Sequence, residues 1–363
     1  AGQLPNEILT AIFEDLPPTV LTRLARVCRG WRAAAERLLY ASIIIYESLS
    51  TPPDPKLSVQ APMPAATVRC CTTLASRRDL AQAVRRFHLR WAAEHVHPPG
   101  LLLALAQNII TALLPTLVHL ESLELFLGLG SHQPPLASLL ASCAFPYLRA
   151  LALAGLRGAP EPVLHRHPGL LHLRLPDYAV PLQLAPADLP LLTSFRGTPA
   201  AAASLLPGRP VRMLGLVGHE FVTERDLARI GGARVRALDL SGMSVLPVLL
   251  RDVSRHMADV QVLRVRLALR HTLHYAMSGI VRLPSRLLYR LLEGLTTVLG
   301  AFRALQTLDL SPTNAVDGVG GSSAGEEGKL CVSWVGACPT LRRVIFPSKT
   351  EWARTDDGRW RHS

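Results

Sequence analysis

The chain has 363 residues, of which 49% are hydrophobic and only 18% charged; this excludes a disordered chain and leaves room for two or more domains. Aromatic residues supply only 5%, so the core must be aliphatic. The formal charge of +12 is carried almost wholly by arginine, since lysine occurs only at Lys56, Lys329 and Lys349, and arginines scattered without a block read as solvated surface or genome bias before they read as a nucleic-acid or membrane-surface patch.

Residues 4–40 read as three short helices. The first begins after Leu4-Pro5, where a proline in the first turn costs no hydrogen bond, and repeats Ile8, Ile12 and Leu16 at a spacing of one turn, with Leu9 and Phe13 beside them. Pro17-Pro18 stops it. Thr19 can cap a second helix with Val20, Leu21, Leu24 and Val27, and a third begins near Gly30 and places Trp31, Ala35, Leu38 and Leu39 on one side. Three helices of this size bury little surface and need a partner or a neighbouring domain. Residues 48–66 are rich in proline and serine and read as a linker. Leu101 to Leu120 is the most membrane-like stretch, but Gln107, Asn108, Thr111, Pro115 and His119 interrupt it, so it reads as a buried helix.

From residue 84 onward the pattern apolar-x-x-apolar-x-apolar recurs ten times. It appears at Val84/Phe87/Leu89, Leu120/Leu123/Leu125, Leu148/Leu151/Leu153, Leu170/Leu173/Leu175 and, weakly, Leu192/Phe195. It continues at Val211/Leu214/Leu216, Val235/Leu238/Leu240, Val260/Leu263/Val265, Leu305/Leu308/Leu310 and Leu341/Val344/Phe346. Where all three positions are filled, the last two are two apart and point inward from one strand. Several intervals fall in the roughly 20–29 residues of a leucine-rich repeat; the longer ones hold extra material at 268–300 and 312–329. No unit can bury its own apolar edge, so the units stack into a solenoid with a parallel sheet. An ordinary α/β domain with leucine-rich strands is the competing reading.

No chemistry-bearing motif is complete. The six cysteines form no C-x-x-C pair, and Cys70-Cys71 lies in an apolar context that favours buried free thiols over a metal site or a vicinal disulfide. His165 and His167 have no acidic or cysteine partner at metal spacing. Gly328-Lys329 resembles the end of a phosphate loop, but Ser323 stands where glycine is required. The expectation is a non-enzyme with no cofactor and no metal. The N-terminus has neither the basic start nor the apolar stretch of a signal peptide, which points to the cytoplasm or nucleus, and a first residue of alanine points to a trimmed or partial chain.

Leu4-Pro5-x-Glu7-Ile8, Ile12-Phe13, Leu16-Pro17, Leu21, Leu24, Val27-Cys28-x-x-Trp31 and Leu38-Leu39-Tyr40 together resemble an F-box. The rest is similar to the leucine-rich regions of F-box proteins of mushroom-forming (basidiomycete) fungi, including Cys338-Pro339-x-Leu341 followed by Trp352 and Trp360. The resemblance implies an α/β chain made of an F-box at 1–47, the linker at 48–66 and an irregular leucine-rich-repeat-like domain at 67–363. It further implies docking on the Skp-type adaptor of a cullin–RING (SCF-type) ubiquitin ligase, with Leu4, Pro5, Ile8, Leu21, Val27, Cys28 and Trp31 at or under that interface, and recruitment of a protein substrate. The alternatives are an F-box scaffold acting outside ubiquitination, or a basic leucine-rich protein that binds a protein, a nucleic acid or a membrane surface. In a solenoid the outward strand positions line the concave face. Here they include Arg86, His88, Glu124, Arg174, Arg196, Asp239, Arg264 and Asp309, a set of mixed sign that favours a protein partner over a phosphate backbone.

Overall fold

The computed structural model describes residues 4–49, 63–92, 100–128, 135–218, 222–267, 292–313 and 324–362. The chain forms two compact units, Ala1–Leu175 with Ala187–Leu191, and Pro176–Pro186 with Leu192–Ser363. The linker expected at 48–66 lies outside the described residues over 50–62, as do 268–291 and 314–323 of the two longer insertions.

The first unit opens with α1 (Asn6–Phe13), α2 (Pro18–Leu24) and α3 (Arg29–Ala41). Leu9, Phe13, Leu21, Ala34 and Ala35 form their buried core, with Leu16, Leu24, Trp31, Leu38 and Leu39 packed around it. The Phe13 and Trp31 rings meet edge to face at 5.6 Å, the arrangement their quadrupoles favour. Thr19 is not the expected cap. The helix already starts at Pro18, whose fixed φ suits the first turn, so Thr19 lies inside it and no side chain caps it.

Helix α3 runs directly into β1 (Ser42–Ser48), a strand that the repeat pattern starting at residue 84 does not include. It pairs in parallel with β2 (Arg86–Ala92), Ile43 opposite Phe87 and Ile45 opposite Leu89. Next come β3 (Ser122–Phe126), β4 (Ala150–Ala154) and β5 (His172–Leu175), each parallel to the one before. Between β1 and β2 lie α4 (Ala65–Ser76) and α5 (Arg78–Ala83). The start of α4 has no cap of its own, and Glu47 of β1 fills that role by accepting from the Ala66 and Thr67 N–H groups at 2.8 and 3.0 Å. The stretch after residue 100 is a helix, Gly100–Asn108, followed by a π-helical turn, Ile109–Leu113, and a 3-10 turn, Leu114–Thr116. Among the described residues no helix is long and apolar enough to cross a membrane.

The second unit carries β6 (Ser194–Gly197), β7 (Met213–Val217), β8 (Ala237–Val245), β9 (Val262–Leu267), β10 (Thr307–Asp309) and β11 (Arg343–Ile345), again parallel in chain order. Helices Pro199–Leu205, Glu224–Gly231 and Pro247–His256 lie between the first four. The parallel run ends with β11, where the last repeat ends. β12 (Glu351–Arg354) and β13 (Trp360–His362) are antiparallel, because the short turns that join them leave no room for a crossover. Trp352 is buried there, and its indole N–H donates to the buried Glu327 carboxylate at 2.9 Å.

Both units are thus mixed α/β, with short parallel strands alternating with helical segments. All ten occurrences of the apolar motif lie at strands β2 to β11, and every residue of them is at most 4% exposed. A main-chain seam joins successive strands within each unit. In the first, Arg85 O accepts from the Glu121 and Ser122 N–H groups, Glu121 O from Arg149 and Ala150, and Arg149 O from Leu171 and His172. In the second, Thr193, Arg212, Arg236, Gln261 and Gln306 repeat the arrangement.

Candidate functional site

Two kinds of surface stand out. The first is on the N-terminal helices. Leu4, Ile8, Ile12 and Val27 are between 48% and 60% exposed, Ile8 and Ile12 on α1 and the other two beside the helices. Pro5 and Cys28 are also exposed, Trp31 is half-buried against Phe13, and Leu21 is buried in the core beneath them. The sequence-based set therefore divides into one buried residue, one shared residue and five on the surface. Ile12, exposed on the same helix as Ile8, belongs with the surface residues but was not in that set.

The second surface is the outward face of the strands. In the first unit, register places Ile44, His88, Glu124, Ala152 and Arg174 in one row across β1 to β5, and Tyr46, Arg90 and Phe126 in the next. Glu124 is only 4% exposed. It is ion-paired with Arg90, and with Arg174 at 3.5 Å. Arg174 reaches it from two strands away because the residue between them in the row is the small Ala152. Both guanidinium groups also lie over the Phe126 ring, 5.1 and 5.5 Å from its centre, within cation–π range. His88 shares a 2.8 Å hydrogen bond with Ser122. Burial lowers the His88 pKa and the nearby arginines add to this, against the pull of Glu124. Arg86 is exposed at the edge of the patch. Arg90 and Phe126 complete this cluster without having been expected from sequence.

In the second unit the corresponding row is Arg196, Gly215, Asp239, Arg264 and Asp309. Arg196 bonds Asp239 at 2.6 Å and Arg264 meets Asp309 at 3.1 Å. Gly215 permits the first of these, since a Cβ there would stand 2.9 Å from Cγ of Arg196. Burial alone would raise the Asp239 pKa, but hydrogen bonds from Ser241 and the Arg196 guanidinium overcome it and hold it below the usual carboxylate range. All four sequence-based candidates of this unit are therefore brought together in ion pairs.

The remaining reactive groups have structural surroundings. His165 meets Asp188 at 3.1 Å. The His167 ring is buried, with Nδ1 2.6 Å from Val163 O and Nε2 accepting from the Phe145 N–H at 3.1 Å. All six cysteines are free thiols. Cys70 and Cys71 are half-buried rather than fully buried, and burial pushes their pKa values up to about 11 and about 12. Among the described residues no group of His, Cys, Asp and Glu could hold a metal ion.

Comparison with known proteins adds to this geometry. No curated protein matches the sequence. Among solved structures, an internalin from Listeria monocytogenes is similar at 11% identity, over 94% of this chain and 87% of that one, with a TM-score of 0.31; so loose a likeness carries no argument. The F-box-like family matches residues 1–46, which hold α1 to α3 and the first part of β1, so the N-terminal helices of this chain are an F-box-like domain.

Proposed function

We propose that this chain is a substrate-recruiting subunit of an SCF-type cullin–RING ubiquitin ligase, without catalytic activity of its own, working in the cytoplasm or nucleus. F-box domains generally dock on Skp-type adaptors. The observation that carries the reading is the exposure of Leu4, Ile8, Ile12 and Val27 on a domain that matches that family. Four large apolar side chains exposed on so small a domain support an interface over a plain solvent face. Pro5, Cys28 and Trp31 extend that interface, and Leu21 supports it from below. The leucine-rich-repeat-like domain, from residue 67 onward, holds the target.

The mechanism is proximity. A target held by the repeats and a conjugating enzyme held through the adaptor share a raised effective concentration, so ubiquitin transfer needs no catalytic group from this chain. The outward charges are largely paired within the protein, as in Arg196–Asp239 and Arg264–Asp309, which leaves a surface of mixed sign suited to a protein target.

The test is reconstitution with purified Skp-type adaptor, cullin and RING subunit. The whole chain should co-purify with all three, and Ile8→Asp/Val27→Asp should co-purify with none while keeping its circular dichroism spectrum. Failure of the intact chain to bind the adaptor would refute the proposal. Adaptor binding without recruitment of the cullin would instead place the chain in a scaffold outside ubiquitination.

A further inference from the structure

We infer that the target docks on the outward strand face of the first unit, and that the docking segment is an acidic peptide carrying a large apolar side chain. This rests on the substrate-recruiting reading and names the class of substrate.

Three observations carry it. Ile44 and Tyr46 of β1 stand outward at 65% and 69% exposure, where a solvent-facing strand would place polar residues. Next to them in register are His88 and Arg90, and then Glu124 and Phe126. Apolar and aromatic groups interleaved with arginine are the composition of an interaction hot spot. The second observation is order. Glu124 and the Phe126 ring hold both Arg90 and Arg174 in place, so less side-chain freedom is lost when a ligand arrives. The third is charge. Across the outward positions of β1 to β5 stand Arg86, Arg90 and Arg174 against the single carboxylate of Glu124, which complements an acidic segment. A nucleic acid fits less well, because Glu124 sits between the two inner arginines and would face a phosphate chain.

The probe is a phage-displayed library of random dodecapeptides, selected on the full chain. The most enriched peptides are then labelled and titrated by fluorescence anisotropy. Enriched peptides should carry acidic residues beside an apolar one. They should bind Tyr46→Ala and Arg86→Glu about tenfold or more weakly than the parent; both residues are exposed and neither is ion-paired with Glu124, so these variants keep the fold. Arg90→Ala/Arg174→Ala should lose binding as well, with circular dichroism separating lost contact from lost structure. Arg255→Ala, on helix Pro247–His256 of the other unit, should bind like the parent. Selection without acidic bias, no enrichment, equal binding to Tyr46→Ala and Arg86→Glu, or tighter binding of an oligothymidylate than of the peptides would each overturn the inference. Adaptor binding by the same variants is read separately and should be unchanged, so failure here stays distinct from failure of the ligase reading.

Discussion

Consider replacing Ile8, Ile12 and Val27 together by alanine. Fully burying a side chain of this size is worth roughly 1.5–3 kcal/mol. Each is about half exposed in the free chain, so each has about 1 kcal/mol still to gain when a partner covers it. Three such losses sum to about 3 kcal/mol, which weakens adaptor binding on the order of 100-fold. The fold should barely notice, because exposed substitutions usually stay within about 0.5 kcal/mol and alanine is the best helix former for the two positions in α1. Leu9→Ala provides the contrast. One residue along the same helix, Leu9 is 4% exposed, and its truncation should cost roughly 2–5 kcal/mol of stability. Isothermal titration calorimetry with purified Skp-type adaptor gives the affinity, and thermal melting followed by circular dichroism gives the stability. An unchanged affinity in a folded triple variant would refute the docking argument. A melting temperature lowered as far as that of Leu9→Ala would show that the three residues belong to the core.

Other consequences can be checked more briefly. Gly242→Ala should lower the melting temperature, by about 1–3 kcal/mol of stability, because the added Cβ would collide with Val217 and stand 2.9 Å from Leu216 O. Arg196→Ala should raise the Asp239 pKa, observable by carbon NMR titration of the carboxyl group, since the guanidinium is one of the groups that hold it down; an unmoved titration would deny the ion pair. The His88 and His167 pKa values are both lowered in the folded chain, so the unfolded chain binds more protons at acidic pH. Their contribution to stability is therefore complete above the ordinary histidine value of about 6.5 and shrinks as the pH falls below it. The chain should melt at lower temperature at pH 5 than at pH 7.5, and the double variant His88→Gln/His167→Gln should reduce that difference.

The strands were largely legible. The apolar hexads located β2 to β11 because strand burial repeats every two residues and each hexad supplies its own buried pair. β1 escaped because Ile43-Ile44-Ile45 is an unbroken apolar run with no alternation, and because Ile44 is one of the residues left facing outward. The surface clusters were legible only in part. Arg90 and Phe126 lie one step beyond the end of their hexads, so a reading confined to the hexad finds Arg86, His88 and Glu124 and stops short of their neighbours. The burial of Glu124 depends on arginines 34 and 50 residues away in sequence, a coincidence that only the register of stacked strands creates. The last two strands were not anticipated because neither Glu351–Arg354 nor Trp360–His362 carries the hexad.

The main-chain seam has a consequence for how such a chain changes length. One carbonyl meets the same two amide protons whether the segment between them spans 19 residues, as from Thr193 to Arg212, or 36, as from Arg85 to Glu121. Closing the longer excursion costs little more than closing the shorter one, because the entropy of a loop grows only with the logarithm of its length. No side chain takes part in the joint, so any residue with a backbone N–H, that is any but proline, can stand at its donor positions. A lineage of such chains can therefore stretch a segment by an insertion and keep the joint between the strands on either side of it.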